Sequence, residues 1–204
     1  LFSDLSVPEN HRKNLHPQKR KGESVMAEKR TVVTEEKKGF SIQDLIVVAV
    51  LLAAGAVLKL VVGSVVNFFG MKPNFVIASY CLAILLTRPK LYQSAIIGLL
   101  AGAICQFLPG TPWLNLISEL VGAVAMGLLI RVPMKIGKFD ANPMVSTFLS
   151  TVLSGGTYTI CLFAFVKATT EGLVAYVPIV LCTALINMVL VQILYFPLKK
   201  VLGK

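Results

Sequence analysis

Residues 42–66 read IQDLIVVAVLLAAGAVLKLVVGSVV, an apolar run interrupted by only two charged side chains, Asp44 and Lys59. A membrane-crossing helix needs about 20 largely apolar residues, and this stretch meets that length. It decides the class of the protein, and the rest of the chain repeats its pattern. Further apolar stretches run over Pro73–Leu86, Leu91–Leu108, Leu114–Ile130, Met144–Val166 and Leu173–Pro197. Turn and breaker residues separate them: Gly70 with Pro73, Arg88-Pro89-Lys90, Pro109-Gly110-Thr111-Pro112 and Asn142-Pro143. The expected fold is all-α, a bundle of six transmembrane helices in the cell membrane, with the second span the shortest.

Composition agrees. The 204 residues are 55% apolar and 15% charged, with a mean hydropathy of +0.76. Charge is concentrated at the start: residues 1–40 hold nine of the 20 Lys and Arg and six of the 10 Asp and Glu. Residues 1–39 have no apolar periodicity and are expected to form a disordered polar head before a membrane domain over 40–204. This head has no apolar segment behind a basic start, so it does not read as a signal peptide. Lys21-Gly22-Glu23 can be encoded by a purine-rich stretch like a ribosome site, shortly before Met26. Met26 is therefore the expected natural start, with residues 1–25 upstream of it.

Basic residues set the expected orientation. Six spans put the head, the second–third loop, the fourth–fifth loop and the tail on one side. That side carries the basic head with Arg88, Lys90, Arg131, Lys135, Lys138, Lys199, Lys200 and Lys204; the other carries Lys72 and Lys167. Both termini are expected in the cytoplasm. The formal charge of +10 then reflects this loop bias and not a nucleic-acid partner.

Several chemistries are excluded. Both histidines, His11 and His16, lie in the head, so the spans offer no imidazole for haem, zinc or a Ser-His relay. Cys81, Cys105, Cys161 and Cys182 stand singly in apolar runs and read as packing residues, so neither a metal nor a cofactor is expected. The chain has no phosphate-binding loop of the G-x-x-x-x-G-K-[ST] type. With no paired carboxylates in one span and no nucleophile motif, it does not read as an enzyme.

Charge within a span is costly, about 2.5–3.5 kcal/mol at the centre. Asp44 sits in the first turn of its helix, where the helix dipole favours it. Lys59 lies roughly 10 Å and Glu119 roughly 7–8 Å below the outer ends of their helices, a similar depth. Asn115 precedes Glu119 by one turn on the same face, and Gly55, Lys59 and Gly63 form a stripe on the first span. Lys59 could instead snorkel to the interface, and Glu119 could be a hydrogen-bonded core residue. Taken together they suggest a polar pocket opening outwards.

Ser154-Gly155-Gly156-Thr157-Tyr158-Thr159 is expected to interrupt the fifth helix, and Asn187 shares a face with Thr183 on the sixth. The expected ligand site joins Lys59, Asn115, Glu119, Tyr158 and Asn187, with Lys72 and Asn74 at its rim. Lys59 or Lys72 could take a carboxylate and Glu119 an ammonium, while Asn115 and Asn187 orient polar groups. Phe68, Phe69 and Gly70 read as an outer lid, or alternatively as an aromatic anchor at the lipid interface. Small-residue pairs at Ala49 and Ala53 and at Gly98 and Gly102 let helices approach closely; the first pair is the expected partner-docking face.

These residues resemble a known family. Six spans, the Ala49-Val50-Leu51-Leu52-Ala53 motif and a membrane region under 200 residues resemble the S components of energy-coupling-factor (ECF) importers. Gly70-Met71-Lys72-Pro73-Asn74 resembles the Gly-Met-Lys-Pro-Asp segment of the bacterial tryptophan-transporter branch. Pro112-Trp113-Leu114-Asn115 and Ala184-Leu185-Ile186-Asn187 resemble its Pro-Asn and Leu-Asn segments. Asn74 stands where the branch has Asp, and Leu116-Ile117-Ser118-Glu119 where it has an Asp-Lys-Pro pattern. The resemblance implies capture of a small nutrient such as tryptophan or a vitamin. It also implies a transmembrane coupling subunit and two cytoplasmic ATPases as partners, besides the lipid bilayer. The competing expectation is a self-sufficient secondary transporter, proton-coupled through Glu119.

Overall fold

The computed structural model describes residues 40–65, 74–108, 111, 113–136, 139–166 and 170–203. The expected head, the lid residues Phe68, Phe69 and Gly70, and Lys72 lie outside the described residues. Residues 40–204 form one compact unit. Among the described residues it contains six helices: α1 (Ile42–Val65), α2 (Phe75–Thr87), α3 (Leu91–Gln106), α4 (Leu114–Leu129), α5 (Asn142–Val166) and α6 (Thr170–Val201). Among the described residues the one departure from helix is a two-residue antiparallel pairing between α4 and α5, with Lys135 opposite Asp140 and Ile136 opposite Phe139.

Three helices are long and apolar enough to cross a membrane: Ile42–Val62 within α1, Asn142–Val166, and Val174–Val201 within α6. The other three are apolar but shorter. The second is the shortest, at 13 residues or about 20 Å. It begins two residues later than its sequence pattern suggested, because Asn74 caps it: the Asn74 Oδ1 accepts from the Val76 backbone N–H at 3.3 Å. Every residue from Phe75 to Leu86 is buried, and α2 touches every other helix. Its brevity follows from this position, since a helix wrapped by neighbours has no need to span the hydrocarbon by itself.

α1 is built around a stripe. Val48, Leu52, Gly55 and Lys59 face the bundle, while Ala49, Val50, Ala53 and Val57 are exposed. The start of α1 is capped by Ser41 and Asp44, whose carboxylate accepts from the Ser41 backbone N–H at 3.2 Å. This accounts for the charge there. Gly55 is required by proximity, because a Cβ there would collide with the Ser79 side chain on α2.

The second small-residue pair is used internally. A Cβ on Gly98 would lie 2.7 Å from both the Glu119 carbonyl oxygen and the Ala123 Cβ, and one on Gly102 2.7 Å from the Leu116 Cα. Gly98 and Gly102 thus form the seam along which α3 packs on α4. At the end of the bundle where α4 finishes, Arg131 donates to the carbonyls of Gly127 and of Pro89, the latter at 3.1 Å. Asn142 closes the turn between α4 and α5 by donating to the Leu129 and Val132 carbonyls, at 3.2 and 2.7 Å.

The Gly155-Gly156 pair does not interrupt α5, which runs unbroken from Asn142 to Val166. Gly155 serves packing instead: a Cβ there would meet Val180 of α6 at 2.7 Å. Backbone hydrogen bonds are worth most where water is absent, so a helix at this depth keeps them and uses the missing side chain for close approach.

Candidate functional site

Four of the residues singled out in the sequence converge where α1 ends and α2 begins. Glu119 is at the centre and has no exposed surface. Its Oε1 accepts from the Asn74 side-chain amide and its Oε2 from the Ser154 hydroxyl at 3.1 Å. Asn187, equally enclosed, donates its amide to the Asn74 backbone carbonyl at 3.3 Å. Asn74, expected at the rim, is therefore the hub, joining α2, α4 and α6.

Lys59 is 6% exposed, and its ammonium donates to the Cys105 thiol at 3.4 Å. It does not snorkel outwards. It acts electrostatically on Glu119 without a direct ion pair among the described residues. Cation and carboxylate thus border one polar region while staying apart, an arrangement suited to a ligand that carries both charges.

Two buried polar groups at this cluster have unused hydrogen-bonding capacity. The Tyr80 hydroxyl lies among Glu119, Ser150 and Ser154 yet makes no hydrogen bond of good geometry, and the Asn187 Oδ1 has no partner. Buried polar atoms of this kind call for an explanation such as a water or a ligand. Gly122 keeps the space open for them, since a Cβ there would run into the Tyr80 hydroxyl and lie 2.8 Å from the Ser154 Cβ.

The other expected site residues fall around this cluster. Asn115 is buried one turn before Glu119, with its backbone carbonyl close to Gly102 of α3. Tyr158 lies one turn beyond Ser154 on α5; its hydroxyl donates to the Thr111 Oγ1 at 3.2 Å and its ring pairs with Tyr176 at 6.2 Å. The two tyrosines pack on Leu114, Cys161 and Leu162, a small apolar cluster beside the polar one. Phe107 and Trp113, at 91% and 73%, are among the most exposed side chains of the bundle.

Ser154 and Tyr80 carried too weak a signal to be named site residues. Most Ser and Thr in these helices bond back to their own backbone, as Thr151 does to Thr147 and Thr159 to Gly155, both at 2.8 Å. Ser150 and Ser154 reach across to α4 instead, to the Gly122 carbonyl at 2.8 Å and to Glu119. The i, i+4 spacing of Ser146, Ser150 and Ser154 marks one face of α5, and all three are buried. That periodicity was the available clue.

Among the described residues no group of three or more His, Cys, Asp or Glu could hold a metal ion. No curated protein and no solved structure matches the chain. The family model described as tryptophan transporter TrpP matches residues 41–203, which covers every helix and the whole polar cluster. The chain therefore belongs to the TrpP tryptophan transporter family, the S-component branch that its Gly70–Asn74 and Asn115 segments resemble.

Proposed function

We propose that the protein is the membrane-embedded substrate-binding subunit of an ECF-type importer, capturing tryptophan from the outer side. The observation that carries this reading is the fully buried Glu119, hydrogen-bonded by Asn74 and Ser154, with Lys59 nearby but unpaired with it. Glu119 takes the ammonium of the amino acid, Lys59 or Lys72 its carboxylate, and Asn115 and Asn187 orient polar groups. Tyr158, with Phe68 and Phe69, covers the indole.

All six helices cross the membrane, the three shorter ones by thinning the bilayer or by being enclosed. Both termini face the cytoplasm, following the basic residues. Ala49 and Ala53, exposed on α1, are the docking face for a transmembrane coupling subunit, which two cytoplasmic ATPases drive.

The test is reconstitution. The purified chain alone should bind tryptophan, and proteoliposomes should accumulate it only when coupling subunit and ATPases are present with ATP. A second reading, a proton-coupled carrier, draws on the buried hydroxyl face of α5 that runs from Glu119 through Ser154 and Ser150 to Ser146. Uptake by the chain alone under an imposed pH gradient would favour that reading and overturn the first.

A further inference from the structure

Glu119 is closed off by its own chain. With no exposed surface and an accepted bond on each carboxylate oxygen, it can be reached by a ligand cation only if a neighbouring group moves aside. Its two hydrogen-bond donors are the candidates to give way. Ser154 is poorly placed to leave: it is 1% exposed, in the middle of a continuous helix, and tight against Gly122. Asn74 lies at the first position outside α2 and is the only one of the three that is partly exposed. From that partly exposed position its amide bonds the carboxylate directly.

A side-chain amide offers N–H donors as an ammonium does, but without the charge. An ammonium brings a full opposite charge to the carboxylate, which the amide cannot, so it can take the carboxylate from the amide. The displaced amide also has somewhere to go. The Asn187 Oδ1 is a buried acceptor without a partner, on the same side-chain amide that donates to the Asn74 carbonyl. Asn74 can therefore give up Glu119 without stranding a buried donor, and its backbone stays held by Asn187.

We infer that the Asn74 side-chain amide is an internal competitor that occupies the ammonium position on Glu119 in the empty site, so that it tunes both affinity and selectivity for cationic or zwitterionic ligands. This rests on the reading of Glu119 as the ammonium partner. The competitor keeps the buried carboxylate satisfied when no ligand is present, and it rejects ligands whose donors are no stronger than an amide. Its cost is affinity, because the ligand binds only the fraction of molecules in which the amide has moved aside.

The experiment compares L-tryptophan with indole-3-propionate, which lacks the ammonium, by calorimetry on the full chain in detergent. Asn74→Ser and Asn74→Thr both keep an oxygen to cap Val76 and both remove the amide donor without adding charge. Each should bind tryptophan about five- to tenfold more tightly than the unaltered protein. Affinity for indole-3-propionate should not change, and the gain for tryptophan should vanish in the Glu119→Gln background. If Asn74→Ser does not fold, Asn74→Thr, which keeps the capping hydroxyl, decides alone. Unchanged or weaker tryptophan binding in the Asn74 variants, with Glu119→Gln still weakening it, overturns the competition and leaves the site intact. Unchanged binding in Glu119→Gln itself overturns the assignment of the site, and the competition with it.

Discussion

Asn187, in the middle of the last helix, donates its side-chain amide to the backbone carbonyl of Asn74, the residue that caps the second helix. The bond joins a residue deep in one helix to the start of another. It is possible because α2 is short and begins well inside the bundle, which brings its capping residue down to the level of Asn187. The polar cluster thereby gains a floor.

Replacing Asn187 by Leu tests that floor. The Asn74 carbonyl would lose its donor, and an unsatisfied buried polar group costs about 1–3 kcal/mol. Thermal unfolding in detergent should shift to lower temperature, and tryptophan binding should weaken with it. A melting curve that does not move would show that the bond contributes nothing to stability.

The two charges at the site should separate by ligand. Glu119→Gln should weaken tryptophan binding more than tenfold, about 1.4 kcal/mol or more, with little effect on indole-3-propionate. Lys59→Met should weaken both, because both ligands carry the carboxylate. Equilibrium binding of the two compounds to each variant gives the answer in four measurements.

Gly155 and Gly156 are neighbours with opposite surroundings. A Cβ on Gly155 meets Val180, whereas one on Gly156 meets nothing within 4 Å. Gly156→Ala should stabilise the protein by about 0.5–1 kcal/mol through helix propensity. Gly155→Ala should lower stability, since it must push α5 and α6 apart. Equal shifts in melting temperature would mean that the helix seam does not run through Gly155.

Ala49 and Ala53 leave the bundle's packing untouched, because both are exposed. Ala49→Trp and Ala53→Trp should therefore preserve tryptophan binding by the isolated chain. Uptake by the assembled importer should fail, as a bulky ring prevents close helix approach. Loss of binding with the complex still assembled would place the docking face elsewhere on α1.

Six apolar segments, the breakers between them and the isolated charges at Lys59 and Glu119 were legible in the sequence. Each of these is local: a run of apolar residues long enough to bury, a proline where a helix must start, a charge too costly to be accidental in its place. The same reasoning named Asn115 and Asn187, which are buried, and Ala49 and Ala53, which are exposed. It misread Gly155-Gly156 as a break, because a glycine pair looks the same in sequence whether it loosens a helix or lets another helix come close.

Only the tertiary structure decided which polar groups meet. That outcome depends on how far each helix is sunk and how it is turned about its axis, and neither quantity is written in any single segment. The depth of α2 moves Asn74 from the rim to the hub and brings Asn187 to it. The rotation of α5 turns Ser154 onto Glu119 while Thr151 and Thr159 bond to their own backbone. Sequence determined that a carboxylate would be buried here, and packing chose its partners.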